Sequence, residues 1–117
     1  KPNYDAASVE AACQAVEAAG LSPRIMIDAS HGNSSKKAEN QVPVCAEVGR
    51  NIASGNNKII GVMIESNLVG GRQDHVPGKP LVYGQSVTDA CIGWDDSSKL
   101  LKDLADSVKR RRDVLKK

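Results

Sequence analysis

Two short aliphatic runs constrain the fold of this chain more than any other feature. They are Ile25-Met26-Ile27 and Ile59-Ile60-Gly61-Val62-Met63-Ile64, each short enough for one buried strand. The second shows no alternation of apolar with polar residues, the mark of a strand covered on both faces. Each run ends in polar residues: Asp28, Ser30 and His31 after the first, and Glu65, Ser66 and Asn67 after the second. A helical pattern separates the two runs, which is the order of a βαβ unit with a parallel sheet. In such sheets, sites gather at the carboxyl ends of the strands.

The flanking segments extend this pattern. Val9, Ala12, Cys13 and Val16 recur at three and four residues and predict a helix over 5–19, with Asp5 as N-cap and Gly20 as the C′ residue. Strand one is expected over 24–29. An irregular turn to Gln41 follows, and Pro43 then sits in the first turn of a helix whose buried face is Val44, Cys45, Val48 and Ile52. Gly55-Asn56-Asn57 stops that helix, and strand two is expected over 59–64. Residues 68–93 hold Gly70-Gly71, Pro77, Gly78, Pro80 and Gly84 and read as a long irregular loop, of the kind that is functional or disordered. Asp95-Asp96-Ser97 offers caps for a last helix over 97–112, with Leu100, Leu101, Leu104 and Val108 as its apolar stripe. The tail 113–117 is expected to fray.

Composition excludes several classes. The formal net charge of +2 points to no particular partner. The basic run Lys109-Arg110-Arg111-Arg112 lacks aromatic interleaving, so it reads as a solvated helix C-terminus and no nucleic-acid partner is expected. Cys13, Cys45 and Cys91 are an odd set without CxxC spacing, which suggests a reducing, cytoplasmic setting. No apolar run approaches the ~20 residues of a membrane span, and no signal peptide is visible. The 117 residues suffice for a small domain. Two strands do not make a stable open parallel sheet, however, and the chain opens on Lys1-Pro2-Asn3. The expectation is a piece of something longer, with further strands before Lys1.

His31, Glu65 and Asp89 form the candidate constellation. His31 follows strand one, Glu65 ends strand two, and Asp89 lies in the loop leaving the same end. Adjacent strands lie about 5 Å apart, so His31 and Glu65 can approach one site. An imidazole and two carboxylates suit a divalent cation of the Mn, Fe, Zn or Co type. The plainer alternative is that these groups cap helices and bind backbone. Cys91 is either a fourth ligand, a redox-sensitive thiol or a small buried residue. Lys36 and Arg72 are candidate anion binders, as is the turn over 32–35 if it leads into a helix N-terminus. His75 reads as exposed.

Four stretches then carry a resemblance. They are Lys1-Pro2-Asn3-Tyr4, Met26-Ile27-Asp28-Ala29-Ser30-His31-Gly32-Asn33-Ser34-Ser35-Lys36, Ile60-Gly61-Val62-Met63-Ile64-Glu65-Ser66, and Tyr83-Gly84-Gln85-Ser86-Val87-Thr88-Asp89-Ala90-Cys91-Ile92-Gly93-Trp94. In these the chain resembles the C-terminal third of type I 3-deoxy-D-arabino-heptulosonate 7-phosphate (DAHP) synthases. The resemblance implies a (β/α)₈ TIM barrel of which residues 1–117 supply the last three-eighths: helix 6, strand 7, helix 7, strand 8 and helix 8. It implies a transferase that condenses phosphoenolpyruvate with erythrose 4-phosphate and releases phosphate, the first step of the shikimate pathway to aromatic amino acids.

The family's divalent metal is held by a Cys, a His, a Glu and an Asp. The last three fall on His31, Glu65 and Asp89. The family's ligand Cys has no counterpart here, and Cys91 does not match it. A homo-oligomer is expected, with no membrane partner, and the 117 residues alone are expected to be inactive. Two rivals stand beside this reading. One is a non-catalytic fragment or assembly module. The other is a barrel related to 3-deoxy-octulosonate 8-phosphate synthase, against which the run Thr88-Asp89-Ala90-Cys91-Ile92-Gly93-Trp94 weighs.

Overall fold

The computed structural model describes residues 1–116. Helix α1 spans Ala6–Ala18. Its start is set by Asp5, whose carboxylate accepts the Ser8 N–H at 3.1 Å. Its end is a Schellman turn. Gly20, with φ 81°, donates to the Glu17 carbonyl, and Leu21 donates to that of Val16. The chain then enters strand β1, Ile25–Asp28. Two 3₁₀ turns, His31–Ser34 and Ala38–Asn40, lead to helix α2, Gln41–Ala53. Pro43 lies in the first turn of α2, where its missing N–H has no helical partner to lose. Strand β2 is Ile59–Met63, and helix α3 is Trp94–Leu115.

The two strands pair in parallel, with α2 as the crossover. The register runs Met26 to Gly61, Ile27 to Val62 and Asp28 to Met63, after an irregularity that sets Ile25 opposite Ile59. One face of the sheet is covered. Ile27, Ala29 and Ile59 join Val44, Cys45, Val48, Ile52, Ile92 and Leu100 in one buried cluster, to which α1 adds Val9 and Cys13. The other face is open: Met26 is 62% exposed and Ile60 65%. The sequence expectation that β2 is covered on both faces therefore fails among the described residues, because α2 and α3 lie on the same side. The radius of gyration is 16.5 Å, against about 13 Å for a compact domain of this length.

Two boundaries differ from expectation. Helix α3 starts at Trp94 instead of Ser97, with Gly93 as N-cap and no side-chain cap. Asp95 and Asp96 lie inside its first turn, where they complement the helix dipole. Ser97 turns its hydroxyl back onto the Gly93 carbonyl at 2.7 Å. The expected frayed tail is helical through Leu115. Arg111 holds it, donating Nη1 to the carbonyls of Asn56 and Ile59 at 3.1 and 2.9 Å. Lys117 lies outside the described residues. No helix among those described is long and apolar enough to cross a membrane.

Residues 68–93 carry no helix or long strand, yet they are folded back on themselves. Gly71 and Cys91 exchange both backbone hydrogen bonds, Gln73 donates to Ser86, and Val69 donates to Gly84. Ile92 then donates to the Glu65 carbonyl at 3.0 Å. This path returns Asp89 to the end of the sheet from which the loop departs.

Candidate metal centre

The site is built where the two strands stop. Beyond Asp28, the chain makes a sharp turn into the 3₁₀ segment, and His31 takes φ 49° in the left-handed region. Ser35 and Lys36 are left-handed as well, at φ 53° and 63°. Three such non-glycine residues in one short turn are uncommon, and strained backbone of this kind concentrates at functional sites. Hydrogen bonds hold the turn. Asn33 donates to the Asp28 carbonyl at 2.8 Å, and Lys36 donates to the His31 carbonyl at 2.9 Å.

Asp28 orients the imidazole. Its Oδ1 accepts the Ser30 N–H at 2.8 Å, and its Oδ2 lies 2.9 Å from His31 Nδ1. With the proton on Nδ1, Nε2 is left as a lone pair. That atom lies 3.5 Å from Glu65 Oε1 and 4.0 Å from Asp89 Oδ2. The three ligand atoms all fall within 4.8 Å of one another. Ligands about 2.1 Å from an ion stand roughly 3–4.2 Å apart, and the two distances from His31 Nε2 fall in that range, so the grouping is close to what one divalent cation needs. The hydrogen bond and charge of Asp28, then the charges of Glu65 and Asp89, raise the His31 pKa above its ordinary value.

Glu65 is the least exposed of the three, at 22%, against 54% for His31 and 72% for Asp89. Ser30 donates its hydroxyl to Glu65 Oε1. Gln41, wholly buried at the start of α2, pairs with the Glu65 backbone. Asp89 is steered through its neighbour, because Arg72 Nε donates to the Thr88 carbonyl at 2.8 Å.

A cavity of about 420 Å³ opens over this grouping, lined by Ser30, His31, Lys36, Ala38, Glu65, Arg72, Asp89 and Ala90. Lys36 and Arg72, read from sequence as anion binders, thus meet the His–Glu–Asp cluster in one space. Part of the Arg72 guanidinium is taken by Asp74, 2.8 Å from Nη2. A larger groove of about 480 Å³ lies between α2 and α3. Opposite charges line it, including Arg50, Lys99, Asp103 and Asp106, and among the described residues no group of three His, Cys, Asp or Glu ligand atoms converges there.

Other sequence candidates fall away. Cys91 is not part of the converging group. Its Sγ contacts the Asp89 carbonyl at 3.7 Å, and burial raises its pKa. The turn over 32–35 does not lead into a helix N-terminus. It is a 3₁₀ turn separated from α2 by a second one. His75 is exposed and outside the cavity lining. Sequence reasoning did not assign roles to Asp28, Ser30 or Gln41. For Gln41 a signal existed: it shares a helical face with Val44, Cys45, Val48 and Ile52, and a polar residue on an apolar stripe has a buried partner to satisfy.

The fold and site define an α/β protein whose polar groups converge at the carboxyl ends of parallel strands. Comparison with known proteins narrows this class. The profile of the DAHP synthetase I family matches residues 1–102, and the chain belongs to that family. It is 54% identical over 111 residues to the phospho-2-dehydro-3-deoxyheptonate aldolase of Haemophilus influenzae, covering 95% of this chain and 31% of that protein. It is 52% identical over 112 residues to the Phe-sensitive enzyme of Escherichia coli K12, with 96% and 32% covered. Over 116 residues it is 49% identical to the tyrosine-inhibited enzyme of Schizosaccharomyces pombe. The solved phospho-2-dehydro-3-deoxyheptonate aldolase of Francisella tularensis SCHU S4 superposes with a TM-score of 0.88 at 44% identity, covering 94% of this chain and 32% of that one. The chain therefore spans about a third of the length of the relatives it matches.

Proposed function

We propose that residues 1–117 form the C-terminal portion of a single (β/α)₈ barrel domain in a metal-dependent DAHP synthase, acting in the cytoplasm. In that assignment α1 is helix 6, β1 and β2 are strands 7 and 8, and α2 and α3 are helices 7 and 8. The reaction is the condensation of phosphoenolpyruvate with erythrose 4-phosphate and water, releasing phosphate. One observation carries the reading: His31 Nε2, Glu65 and Asp89 come within 4.8 Å of one another at the carboxyl end of the parallel pair. Family membership and about 50% identity to enzymes of that name support it.

A divalent cation held by His31, Glu65 and Asp89 would supply Lewis-acid polarisation of a substrate carbonyl oxygen. This chain's own residues prepare that site. Asp28 keeps the His31 proton on Nδ1, so that Nε2 offers its lone pair. Ser30 orients the Glu65 carboxylate. Lys36 and Arg72 place positive charge in the same cavity, which suits substrates that each carry a phosphate. The remaining cations and the fourth ligand come from elsewhere in the barrel.

The test is a phosphate-release assay with both substrates in a longer protein that carries this chain and the rest of the barrel. His31→Ala there abolishes metal-dependent turnover and Mn²⁺ binding, while the 117 residues alone release no phosphate. Full turnover by the His31 variant after chelation removes the ligand assignment.

A further inference from the structure

We infer that Gln41 is a positioning residue that sets the metal affinity of the site through the backbone of Glu65. The inference rests on the metal-site reading above and deepens it. The regular sheet ends before the site does. The last backbone bond between the strand extensions is Ala29 N–H to the Met63 carbonyl, at 2.9 Å. Glu65, two residues on, has no strand beside it on the β1 side. The Gln41 side chain takes that place. Its Oε1 accepts the Glu65 N–H at 2.7 Å, and its Nε2 donates to the Glu65 carbonyl at 3.0 Å.

The pair of bonds copies what a neighbouring peptide would make. A primary carboxamide is the side-chain group that offers a donor and an acceptor side by side. The amide orientation is fixed by three partners, since Nε2 also donates to the Ala38 carbonyl at 3.2 Å. The Ile92 N–H donates to the same Glu65 carbonyl at 3.0 Å. Glu65 is thus clamped between α2 and the returning loop.

Burial makes the clamp stiff. Gln41 has 0% exposure, so water does not replace a lost bond there. The clamp controls where the Cα of Glu65 stands, and Ser30 controls where its carboxylate turns. Gln41 touches no ligand atom. Its effect on the metal passes entirely through the Glu65 main chain, in the way outer partners tune metal sites.

The experiment is Mn²⁺ titration of the longer, barrel-complete protein, with the visible spectrum of the Co²⁺-loaded form as second readout. Gln41→Met keeps length and volume but removes both bonds. It is expected to weaken Mn²⁺ binding about 10–100-fold and to shift the Co²⁺ bands. Val48→Ala, in the core of the same helix, is the stability control. It lowers the melting temperature and leaves Mn²⁺ affinity unchanged. Parent affinity in Gln41→Met, or equal weakening in Val48→Ala, overturns the inference. If Gln41→Met does not fold, Gln41→Asn carries the test: one methylene short, it keeps the amide but not the reach, and it weakens Mn²⁺ binding in the same direction. His31→Ala separates the two readings. Undiminished Mn²⁺ binding by that variant, or none by the parent, overturns the metal site itself and this inference with it.

Discussion

The two faces of the β1–β2 sheet are unlike. On one, Ile27, Ala29 and Ile59 are sealed by α2 and α3. On the other, Met26 and Ile60 lie open, and Gly61 sits against the Met26 side chain at 3.6 Å from where a Cβ would stand. Met26, Asp28 and Ser30 share that open side, and Ser30 there meets Glu65 from the neighbouring strand. The covered face is a core of buried side chains from both strands and the helices. The open face leads into the polar cluster and is apolar at Met26 and Ile60, which none of the described residues covers. Sites on parallel sheets sit at such an end, supported by a rigid core behind them.

The contrast is tested most strongly by stability in the longer protein. If the open face lines the interior of the proposed barrel, Met26→Ala there costs about 2–5 kcal/mol, as Ile27→Ala on the covered face does. Urea unfolding of both variants measures this. A Met26 variant within about 0.5 kcal/mol of the parent, the range of ordinary surface changes, would break the barrel placement.

A subtler effect is expected at Asp28, on the open side. In Asp28→Asn the side-chain oxygen still serves the Ser30 N–H, which leaves the NH₂ facing His31 Nδ1. The proton then moves to Nε2 and the lone pair is lost to the metal. Mn²⁺ affinity is expected to fall about 10–100-fold with little change in melting temperature, read by calorimetric titration. Unchanged affinity would separate Asp28 from the site.

The smallest effect belongs to the covered side. Cys45 is 2% exposed, and burial pushes its thiol up to about 11. Thiolate is the reactive form, so Cys45 stays unmodified by iodoacetamide at pH 8 in the folded protein. It reacts after unfolding in guanidinium, and in the folded state only as the pH nears its raised pKa. Mass spectrometry of the alkylated peptide reports it. Rapid labelling of native Cys45 at pH 8 would mean that the covered face opens easily.

Much of the fold was legible in residue spacing. The helix over 5–19, the strands near 24–29 and 59–64 and the position of Pro43 all lie within a residue or two of the observed elements. Asp5 and Gly20 perform their capping roles because those depend on neighbours a few residues away. The start of α3 was misplaced because Asp95, Asp96 and Ser97 are as suitable inside a first turn as before it. What decided was Trp94 N–H finding the Leu68 carbonyl, a long-range bond at 3.2 Å. Likewise, Gln41 looked like the end of a turn, since its partner, Glu65, lies on another element.

By itself, the sequence determined the order of helices and strands, the chemistry available at the strand ends and the family to which the chain belongs. Periodicity and motifs are local, and they survive without knowledge of the path between them. Only the tertiary structure decided that Asp89 returns to His31 and Glu65, that Lys36 and Arg72 share their cavity, and that one sheet face stays open. Those outcomes depend on where a loop of irregular backbone closes its hydrogen bonds, here between Gly71 and Cys91 and between Ile92 and Glu65. No spacing along the chain specifies that closure, because its partners are set by packing in three dimensions.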